Sequence, residues 1–300
     1  MIKNLNEMKQ RVIDGGKKRL AVAYAQDPNT INAIAMAVKD QLISAYMVGD
    51  QQKIEELMKK NSLPNSLFEI VDVKDEAGSA AKAVELVKNG DADVLMKGLV
   101  STPIYLKAIL DKEKGILPKG NVLTHLTVME VPSYHKLLFM TDIAVLPFPT
   151  YEQKIQMVEY ALNVANKFGV TLPKVSVLSA TEKPTDKIPG SVEARQISEY
   201  YREKLGDKII IDGPLDIVLS CDPKGVEIKG VPTPVNGDAD ILVFPNIESG
   251  NMFYKCLTIF AGGRLGAMLQ GLEKPAILTS RSEDTESKYY SIALGCYMAN

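Results

Sequence analysis

The sequence predicts an α/β protein whose sheet is mainly parallel and covered by helices. Short apolar runs alternate along the chain with segments that have helical periodicity. The runs are apolar on both faces, which is typical of buried parallel strands. Turn and capping residues stand at the joints between the two kinds of segment. A chain with this alternation is expected to fold as strands joined by crossover helices.

The first hundred residues contain the beginnings of four strand–helix pairs. RLAVAYA (19–25) is predicted to be a strand, and residues 27–30 supply turn and capping chemistry before a helix. The later pairs are SAYMVG with QQKIEELMKK, LFEIVDV with EAGSAAKAVELVKNG, and ADVLMKG with STPIYLKAIL. Gly90 suits a helix C-cap. Pro103 suits the first turn of a helix that Ser101 or Thr102 caps.

The middle of the chain has a different pattern. Two long apolar runs, 121–131 and 136–146, are separated by only four residues, 132–135. Such closely joined runs are expected to form adjacent antiparallel strands. Pro147 and Pro149 then interrupt the pattern before a long helix, so we expect the chain to cross between domains near 143–150.

The remaining sequence predicts a second α/β unit. Its elements are VSVLSA, a helix near 191–205, KIIIDG and ADILVFP. The last strand–helix pair, PAILTS followed by EDTESKYYSIALGCYMA, could return to the first sheet.

The glycine-rich GGRLGAMLQGLEKP (262–275) lacks the spacing of a dinucleotide-binding fingerprint, and the chain has no Walker A motif. These absences disfavour a nucleotide-binding protein or kinase.

Composition and charge bound the function further. The 300 residues are 46% hydrophobic and 24% charged, which is ordinary for a globular protein. With 35 basic and 37 acidic residues the net charge is −2, and the basic residues are scattered. We therefore expect no nucleic-acid partner. An anionic substrate would have to be held by local basic groups.

The compartment is predicted from what the sequence lacks. The N-terminal residues have no secretory-signal pattern, and no apolar run is long enough for a membrane span. The three cysteines are far apart, which indicates a reducing cytoplasm. With only two histidines and no ligand cluster, we expect no metal site.

Three joints at predicted strand ends have suitable chemistry for a ligand, because ligands of parallel sheets gather at that edge. The first joint runs from Lys97 to Thr102. Here the lysine and the exposed backbone N–H groups of a helix start at Ser101 and Thr102 could together hold an anionic substrate. The alternative is an ordinary solvated lysine before a helix. The second joint contains Ser249, Gly250 and Asn251, which could line a site or could simply cap a helix.

The third joint follows the apolar PAIL and contains Ser280 and Arg281. The planar guanidinium of Arg281 suits a phosphate or carboxylate, and Ser280 adds a hydroxyl at the strand end. Glu283 and Asp284 then open a helix, where acidic residues also suit the helix dipole. We expect this joint to carry the chemistry.

At these residues the sequence resembles the phosphate acetyltransferase/phosphate butyryltransferase family over almost its whole length. The resemblance is seen in residues 94–111, 128–132, 175–183, 211–220, 237–255, 266–275 and 278–288. The combination of GDADILVFPNIESGNMFYK with a later TSR is specific, and the ESK that follows is closer to the butyryl branch. The resemblance implies reversible transfer of a short acyl group between coenzyme A and inorganic phosphate, with no cofactor beyond coenzyme A as substrate.

The resemblance also implies a fold. It predicts two domains similar to isocitrate and isopropylmalate dehydrogenases, with an inserted second domain, an inter-domain cleft and a homodimer or higher homo-oligomer. The first domain would comprise 1–143 plus 267–300, and the second 144–266.

Site residues follow from the resemblance by position. Ser280 matches a serine thought to stabilise the thiolate, and Arg281 matches an arginine that holds the phosphoryl group. The acetyl branch has an aspartate thought to deprotonate the thiol where this chain has Ser287, which is expected to contact the substrate. Asp284 and Glu283 lie about one helical turn earlier and could reach the same face, so either could be the base, and Asp284 is the catalytic candidate. The resemblance places Ser249, Gly250 and Asn251 opposite Arg281.

Three alternatives stay open. The chain could be a phosphate acetyltransferase. It could be a metal- and nicotinamide-dependent hydroxy-acid dehydrogenase of similar fold, although no aspartate cluster or nucleotide motif supports this. It could also be a non-catalytic coenzyme A-binding module.

Overall fold

The computed structural model describes residues 1–280 and 283–299, apart from the side chain of Asn65. Its strands are β1 Lys18–Ala23, β2 Ile43–Gly49, β3 Glu69–Asp72, β4 Val94–Lys97, β5 Thr124–Glu130, β6 Leu138–Thr141, β7 Lys174–Leu178, β8 Ile210–Leu215, β9 Ile241–Val243, β10 Arg264–Gln270 and β11 Ala276–Ile277. Its helices are α1 Leu5–Asp14, α2 Pro28–Lys39, α3 Gln51–Lys60, α4 Glu76–Lys88, α5 Thr102–Ile109, α6 Tyr151–Lys167, α7 Pro189–Leu205, α8 Ile217–Cys221, α9 Pro223–Lys229, α10 Ile247–Ala261 and α11 Thr285–Met298.

The chain divides into two compact units. The first unit is Leu5–Leu123 together with the residues from Leu265 onward, and the second unit is Met1–Asn4 with Thr124–Arg264. The expected first crossing, at 143/144, differs from this division, which falls at 123/124. The reason is that β6 pairs antiparallel with β5 and parallel with β9, so the hairpin continues the sheet of the second unit.

The first unit has strand order β3-β2-β1-β4-β11-β10. Its pairs are parallel except β10 with β11. The central strand β4 is buried along its whole length, which explains its apolar sequence up to Met96. The α/β fold with a mainly parallel sheet is therefore confirmed in this unit.

An aspartate caps each of three helices that follow strands of the first unit. Asp27 accepts the Thr30 N–H at 2.9 Å, and Asp75 accepts the Gly78 N–H at 2.7 Å. Asp50 accepts from the first turn of α3 in the same way. Because a cap satisfies amides that the helix leaves unpaired, it fixes where the helix begins. The helix N-termini consequently lie next to the carboxyl ends of the strands.

The second unit has strand order β5-β6-β9-β7-β8. Only its β5–β6 pair is antiparallel; β6–β9, β9–β7 and β7–β8 are parallel. The predicted antiparallel hairpin is thus confirmed, although β6 ends at Thr141 rather than continuing to 146.

Ion pairs join the amino ends of the second unit's strands. Lys136, before β6, contacts Asp240 at 2.8 Å and Asp238 at 2.9 Å. Lys174, the first residue of β7, contacts Asp238 at 2.7 Å. In the first unit Arg19 and Asp93 make the equivalent pair, at 2.7 Å. Since paired charges already fill the amino edges, the carboxyl edges are the better candidates for ligand sites.

Candidate functional site

The carboxyl ends of β1, β4 and β11 are neighbours in the first unit. Three segments leave this edge: residues 24–27, residues 98–101 and the segment that begins at residue 278. Two of the three predicted joints, those at Lys97 and at Ser280, are therefore brought to one edge, as parallel strands require.

The loop after β11 carries the predicted catalytic residues. Thr279 is buried, whereas Ser280 is exposed. Arg281, the predicted phosphate ligand, lies outside the described residues, as does residue 282. The structure thus places Ser280 at the carboxyl edge, and the role of Arg281 stays a prediction.

Asp284 begins the helix that follows this loop. Its carboxylate accepts the Ser287 N–H at 2.7 Å, so Asp284 is the N-cap of α11. Asp284 is exposed and Ser287 half-buried. Asp284 therefore lies where a negative charge suits the helix dipole, as expected. It has a structural role as a cap whether or not it also acts as a base.

Lys288 is a residue of this site for which no role was predicted from sequence. Its side chain is 2% exposed, and its ammonium donates to the carbonyl oxygens of Ser280 at 3.0 Å and Glu283 at 3.3 Å. Burial lowers the pKa of Lys288, although the negative charges of Asp27, Glu283 and Asp284 act in the opposite direction. The only sequence signal was the ESK motif, whose lysine would ordinarily be assigned to a solvated helix face.

Lys97 is not the solvated lysine that the alternative interpretation of the first joint expects. It is only 3% exposed because β4 lies between β1 and β11, and its ammonium is 3.3 Å from the Gly98 carbonyl oxygen. Gly98 is needed at the next position, since an added Cβ would lie 2.5 Å from the Tyr24 carbonyl oxygen. The backbone of the two loops therefore approaches as closely as glycine allows.

The start of α5 already binds an acidic side chain. Ser101 is the N-cap, as predicted, but its own side chain makes no capping hydrogen bond. Its N–H instead donates to the carboxylate of Glu76, on α4. The Glu76 carboxylate thus already accepts a backbone N–H that an anionic ligand would have used. Thr102 is exposed in the first turn. Substrate binding by Ser101 and Thr102 stays a prediction.

The joint at 246–251 lies in the second unit. The N-cap of α10 is Asn246, whose side chain accepts the Ser249 N–H at 3.0 Å; the expectation that Ser249 or Asn251 caps the helix is therefore wrong. The Ser249 hydroxyl donates to the Asn246 carbonyl at 2.9 Å. The helix begins earlier because the Asn246 backbone is extended and its side chain reaches the third helical residue.

Gly250 and Asn251 pack against the turn that follows β6. A Cβ added to Gly250 would lie 2.6 Å from the Asp142 carbonyl oxygen, and the Asn251 amide donates to the Ile143 carbonyl at 3.0 Å. Asp142 in turn accepts the N–H groups of Ala144 and Val145, at 2.7 and 2.9 Å. This packing accounts for the small and polar residues of the joint, and their substrate role stays a prediction.

His125 lies beside the same turn. It is 3% exposed, and its backbone N–H donates to the Asp142 carboxylate at 3.0 Å. Burial raises the pKa of Asp142, while the charge of His125 and the backbone N–H groups oppose that rise. The pair is an internal feature of the second unit.

The second unit also has a cavity of about 470 Å³ at the carboxyl edge of its sheet. Its described lining includes Ser179 after β7, Asn246 after β9, and Phe148 before α6. The Ser179 hydroxyl is buried and has no hydrogen-bond partner among residues 1–280 and 283–299, and Phe148 is 73% exposed. Ser249, Gly250 and Asn251 are not among the described lining residues. An apolar ring and a free hydroxyl are features that an organic ligand could contact.

Two kinds of feature are absent from residues 1–280 and 283–299. No group of three or more histidine, cysteine, aspartate or glutamate side chains there could hold a metal ion. Across that same part of the chain, every helix is too short or too polar to cross a bilayer.

Known proteins resemble this chain along most of its length. A family model described as "Phosphate acetyl/butaryl transferase" matches residues 77–296. A phosphate butyryltransferase of Clostridium beijerinckii is 38% identical over 100% of this chain and 99% of its own length. A phosphate acetyltransferase of Thermotoga maritima is 36% identical over 95% and 96%.

A solved structure gives the same relationship. The crystal structure of a branched-chain phosphotransacylase from Enterococcus faecalis V583 superposes with a TM-score of 0.84 at 32% identity. The match covers 94% of this chain and 99% of that one.

Proposed function

Because the chain belongs to the phosphate acetyl/butyryltransferase family, we propose that it transfers a butyryl or similar short acyl group reversibly between coenzyme A and inorganic phosphate. One observation carries the proposal: a phosphate butyryltransferase is 38% identical over the whole chain. The TSR and ESK segments of the third joint support the same reaction.

The chemistry is a direct acyl transfer. In one direction the coenzyme A sulfur bonds to the acyl phosphate carbonyl carbon, the carbon–oxygen bond to phosphate breaks, and phosphate leaves with the electron pair. In the other direction a phosphate oxygen attacks the thioester and the thiolate leaves. An ordinary thiol has a pKa of about 8.5, so the forward direction needs a group that accepts its proton.

We assign three residues to this reaction. Arg281 binds the phosphoryl group through its guanidinium fork, and Ser280, exposed at the end of β11, donates to the thiolate. Asp284 accepts the thiol proton, since it lies one helical turn before Ser287, where the acetyl branch has its aspartate. Holding two substrates in line can contribute more to the rate than any one of these groups.

A kinetic assay tests the function. Release of coenzyme A from acetyl-, propionyl-, butyryl-, isobutyryl- and hexanoyl-CoA is measured at increasing phosphate concentrations. We expect release to require phosphate and to be fastest with a four-carbon acyl group. Absence of phosphate dependence with every acyl group would contradict the proposal.

Arg281 variants test its assigned role within that assay. We expect Arg281→Ala to raise the phosphate KM or abolish turnover, because the phosphate loses its bidentate partner. Arg11, exposed on α1, provides the control, and Arg11→Ala is expected to keep the wild-type phosphate KM. If Arg281→Ala also keeps it, Arg281 does not bind phosphate.

Phosphate acetyltransferase is the second candidate. The Thermotoga maritima phosphate acetyltransferase is nearly as similar, at 36% identity. A pocket distinguishes one methylene by about 1–3 kcal/mol, or about 10–200-fold in kcat/KM. A preference of that size for acetyl-CoA over butyryl-CoA would select the acetyl reaction.

The family resemblance supports two further proposals, and the cysteines support a third. It implies a two-domain fold like that of isocitrate and isopropylmalate dehydrogenases, and a homodimer, which sedimentation would detect as twice the chain mass. The odd number of widely spaced cysteines favours a cytoplasmic location, which fractionation of the source cells would test.

A further inference from the structure

The cavity of about 470 Å³ in the second unit lies where three helices begin. Phe148 and Pro149 precede α6, Pro189 and Gly190 open α7, and Asn246 caps α10. The described lining falls within residues 148–246, so the cavity belongs to this unit alone. Its volume is in the range of about 300–1,000 Å³ that is usual for small-molecule sites.

Two polar side chains of the lining have hydrogen-bonding capacity to spare. Ser179 is 9% exposed, and its hydroxyl has no partner in the described part of the chain. The side-chain oxygen of Asn246 accepts from Ser249, but its NH₂ group donates to no acceptor within residues 1–280 and 283–299. Because an unpaired buried hydroxyl costs free energy, its presence in a cavity wall points to a ligand that pairs with it.

The start of α7 favours an anion. The N-cap residue Ile188 makes no side-chain capping bond, and the Gly190 N–H finds no acceptor among the described residues. Lys187 is exposed in the same lining and has no ion pair in that part of the chain, whereas Lys154, 5% exposed, is paired with Glu193. An uncapped helix start beside an unpaired ammonium suits a phosphate group.

The rest of the lining is apolar and accessible. Phe148 is 73% exposed and Ile188 38%, and Pro149 and Pro245 also line the cavity. A purine can stack on an exposed aromatic ring, because every base presents a flat π-face. An aromatic ring, hydrogen-bonding groups for a base edge and a phosphate-binding end are the three parts that a nucleotide requires.

We propose that this cavity binds an adenosine phosphate, with the base against Phe148 and a phosphate at Lys187 and the start of α7. The glycine-rich phosphate loops that this sequence lacks are replaced here by a helix start and a lysine. Coenzyme A carries an adenosine phosphate, and so do free ADP and ATP. The assignment to coenzyme A rests on the proposed function, whereas binding of the adenosine phosphate does not.

Calorimetry with adenosine 3′,5′-bisphosphate and with ADP tests the binding. For the probe that binds more tightly, we expect Phe148→Ala to raise Kd about tenfold and Lys187→Gln about threefold or more. Phe260→Ala, on the 83% exposed ring of α10, and Lys208→Gln, at an exposed position before β8, are the matched controls and should keep the wild-type Kd. Neither Phe260 nor Lys208 is among the described lining residues.

Ser179→Ala separates a ligand contact from a structural one. Its hydroxyl has no partner to lose within the described chain, so the thermal midpoint should not fall, while Kd rises about threefold. No binding of either probe at millimolar concentration would overturn the proposal. An unchanged Kd in both Phe148→Ala and Lys187→Gln would overturn it equally.

Kinetics identify the source of the adenosine phosphate. If it is coenzyme A, adenosine 3′,5′-bisphosphate competes with butyryl-CoA. Phe148→Ala then raises the KM for butyryl-CoA about tenfold and that for butyryl-pantetheine less than about threefold. Tighter binding of ADP without competition would overturn the coenzyme A assignment in favour of a free nucleotide. Failure of the proposed function is distinguishable, because calorimetric binding needs no turnover.

Discussion

At the scale of single residues, the described site consists of donors and small residues that hold backbone in place. Lys97, Lys288 and Tyr105 are buried at the carboxyl edge of the first unit, and Lys97 and Lys288 each reach carbonyl oxygens of the loops that begin there. Gly98 permits two of these loops to touch. Such a scaffold can orient a hydroxyl and a guanidinium without contributing to the chemistry directly.

The two roles of Asp284 can be separated by one substitution. Asparagine caps a helix about as well as aspartate but cannot accept a thiol proton. We expect Asp284→Asn to keep the thermal midpoint of the wild-type protein and to lower turnover about 10²-fold or more. Asp50→Asn, at the N-cap of α3, should leave both unchanged. Equal turnover in Asp284→Asn and the wild type would restrict Asp284 to capping.

Gly250 provides a test of packing in the second unit. An added Cβ would lie 2.6 Å from the Asp142 carbonyl oxygen, a backbone atom that cannot easily move. We expect Gly250→Ala to lower the free energy of unfolding by about 1–3 kcal/mol, measured by urea denaturation. At Gly190 the nearest atom is Pro245 Cβ, at 3.5 Å, so Gly190→Ala should cost much less. Equal costs would show that the close approach at Gly250 is unimportant.

The buried lysines show where prediction from sequence stops. A lysine beside a helix start is ordinarily solvated, yet Lys97 and Lys288 are 3% and 2% exposed. Their burial results from strands and helices that are distant in sequence, such as β1, β11 and α2, and no local pattern records it. The joint at Ser280 was located correctly because turn chemistry directly after an apolar strand is a local signal.

At the scale of elements, periodicity predicted most strands and helices but missed α8 and α9. It also missed α1 and β10. The sequence of β10 contains Gly266, which weakens a strand signal. The glycine is there because α11 crosses closely: an added Cβ would lie 2.8 Å from the Tyr290 carbonyl oxygen. In α1 only Leu5, Met8 and Val12 are buried, a narrow stripe in an otherwise polar segment. Packing partners, rather than the segments themselves, define both elements.

The ion pairs at the amino ends of β6, β7 and β9 predict a pH dependence. Burial alone would raise the pKa of Asp238, but its bonds to Lys174 and Lys136 outweigh this and lower it. The stability from Asp238 is therefore fully present above the unfolded-state pKa of about 3.9 and is lost as the pH falls through the lower folded-state pKa.

We accordingly expect Asp238→Asn to be less stable than the wild type at pH 7, with the difference shrinking as the pH is lowered below about 4. Urea denaturation from pH 7 to pH 3 measures this. Asp186, exposed in the loop before α7, supplies the control, and Asp186→Asn should follow the wild-type curve. Parallel curves for Asp238→Asn and the wild type would contradict the assignment.

At the scale of the whole molecule, the family could be identified from sequence because its markers are spread over the chain. The 237–255 segment belongs to the second unit and the ESK segment to the first, and the family match spans 77–296. The boundary between units was harder to place, because the prolines at 147 and 149 follow the hairpin that actually opens the second unit. Strand pairing, which the sequence does not show directly, decides that boundary.

Phosphorus NMR of the purified protein with butyryl-CoA and inorganic phosphate tests the central claim most directly. The account predicts a new acyl phosphate resonance that grows in proportion to the coenzyme A released, with no nucleotide or metal added. Release of coenzyme A as free butyrate without acyl phosphate, or no change in either substrate, would contradict it.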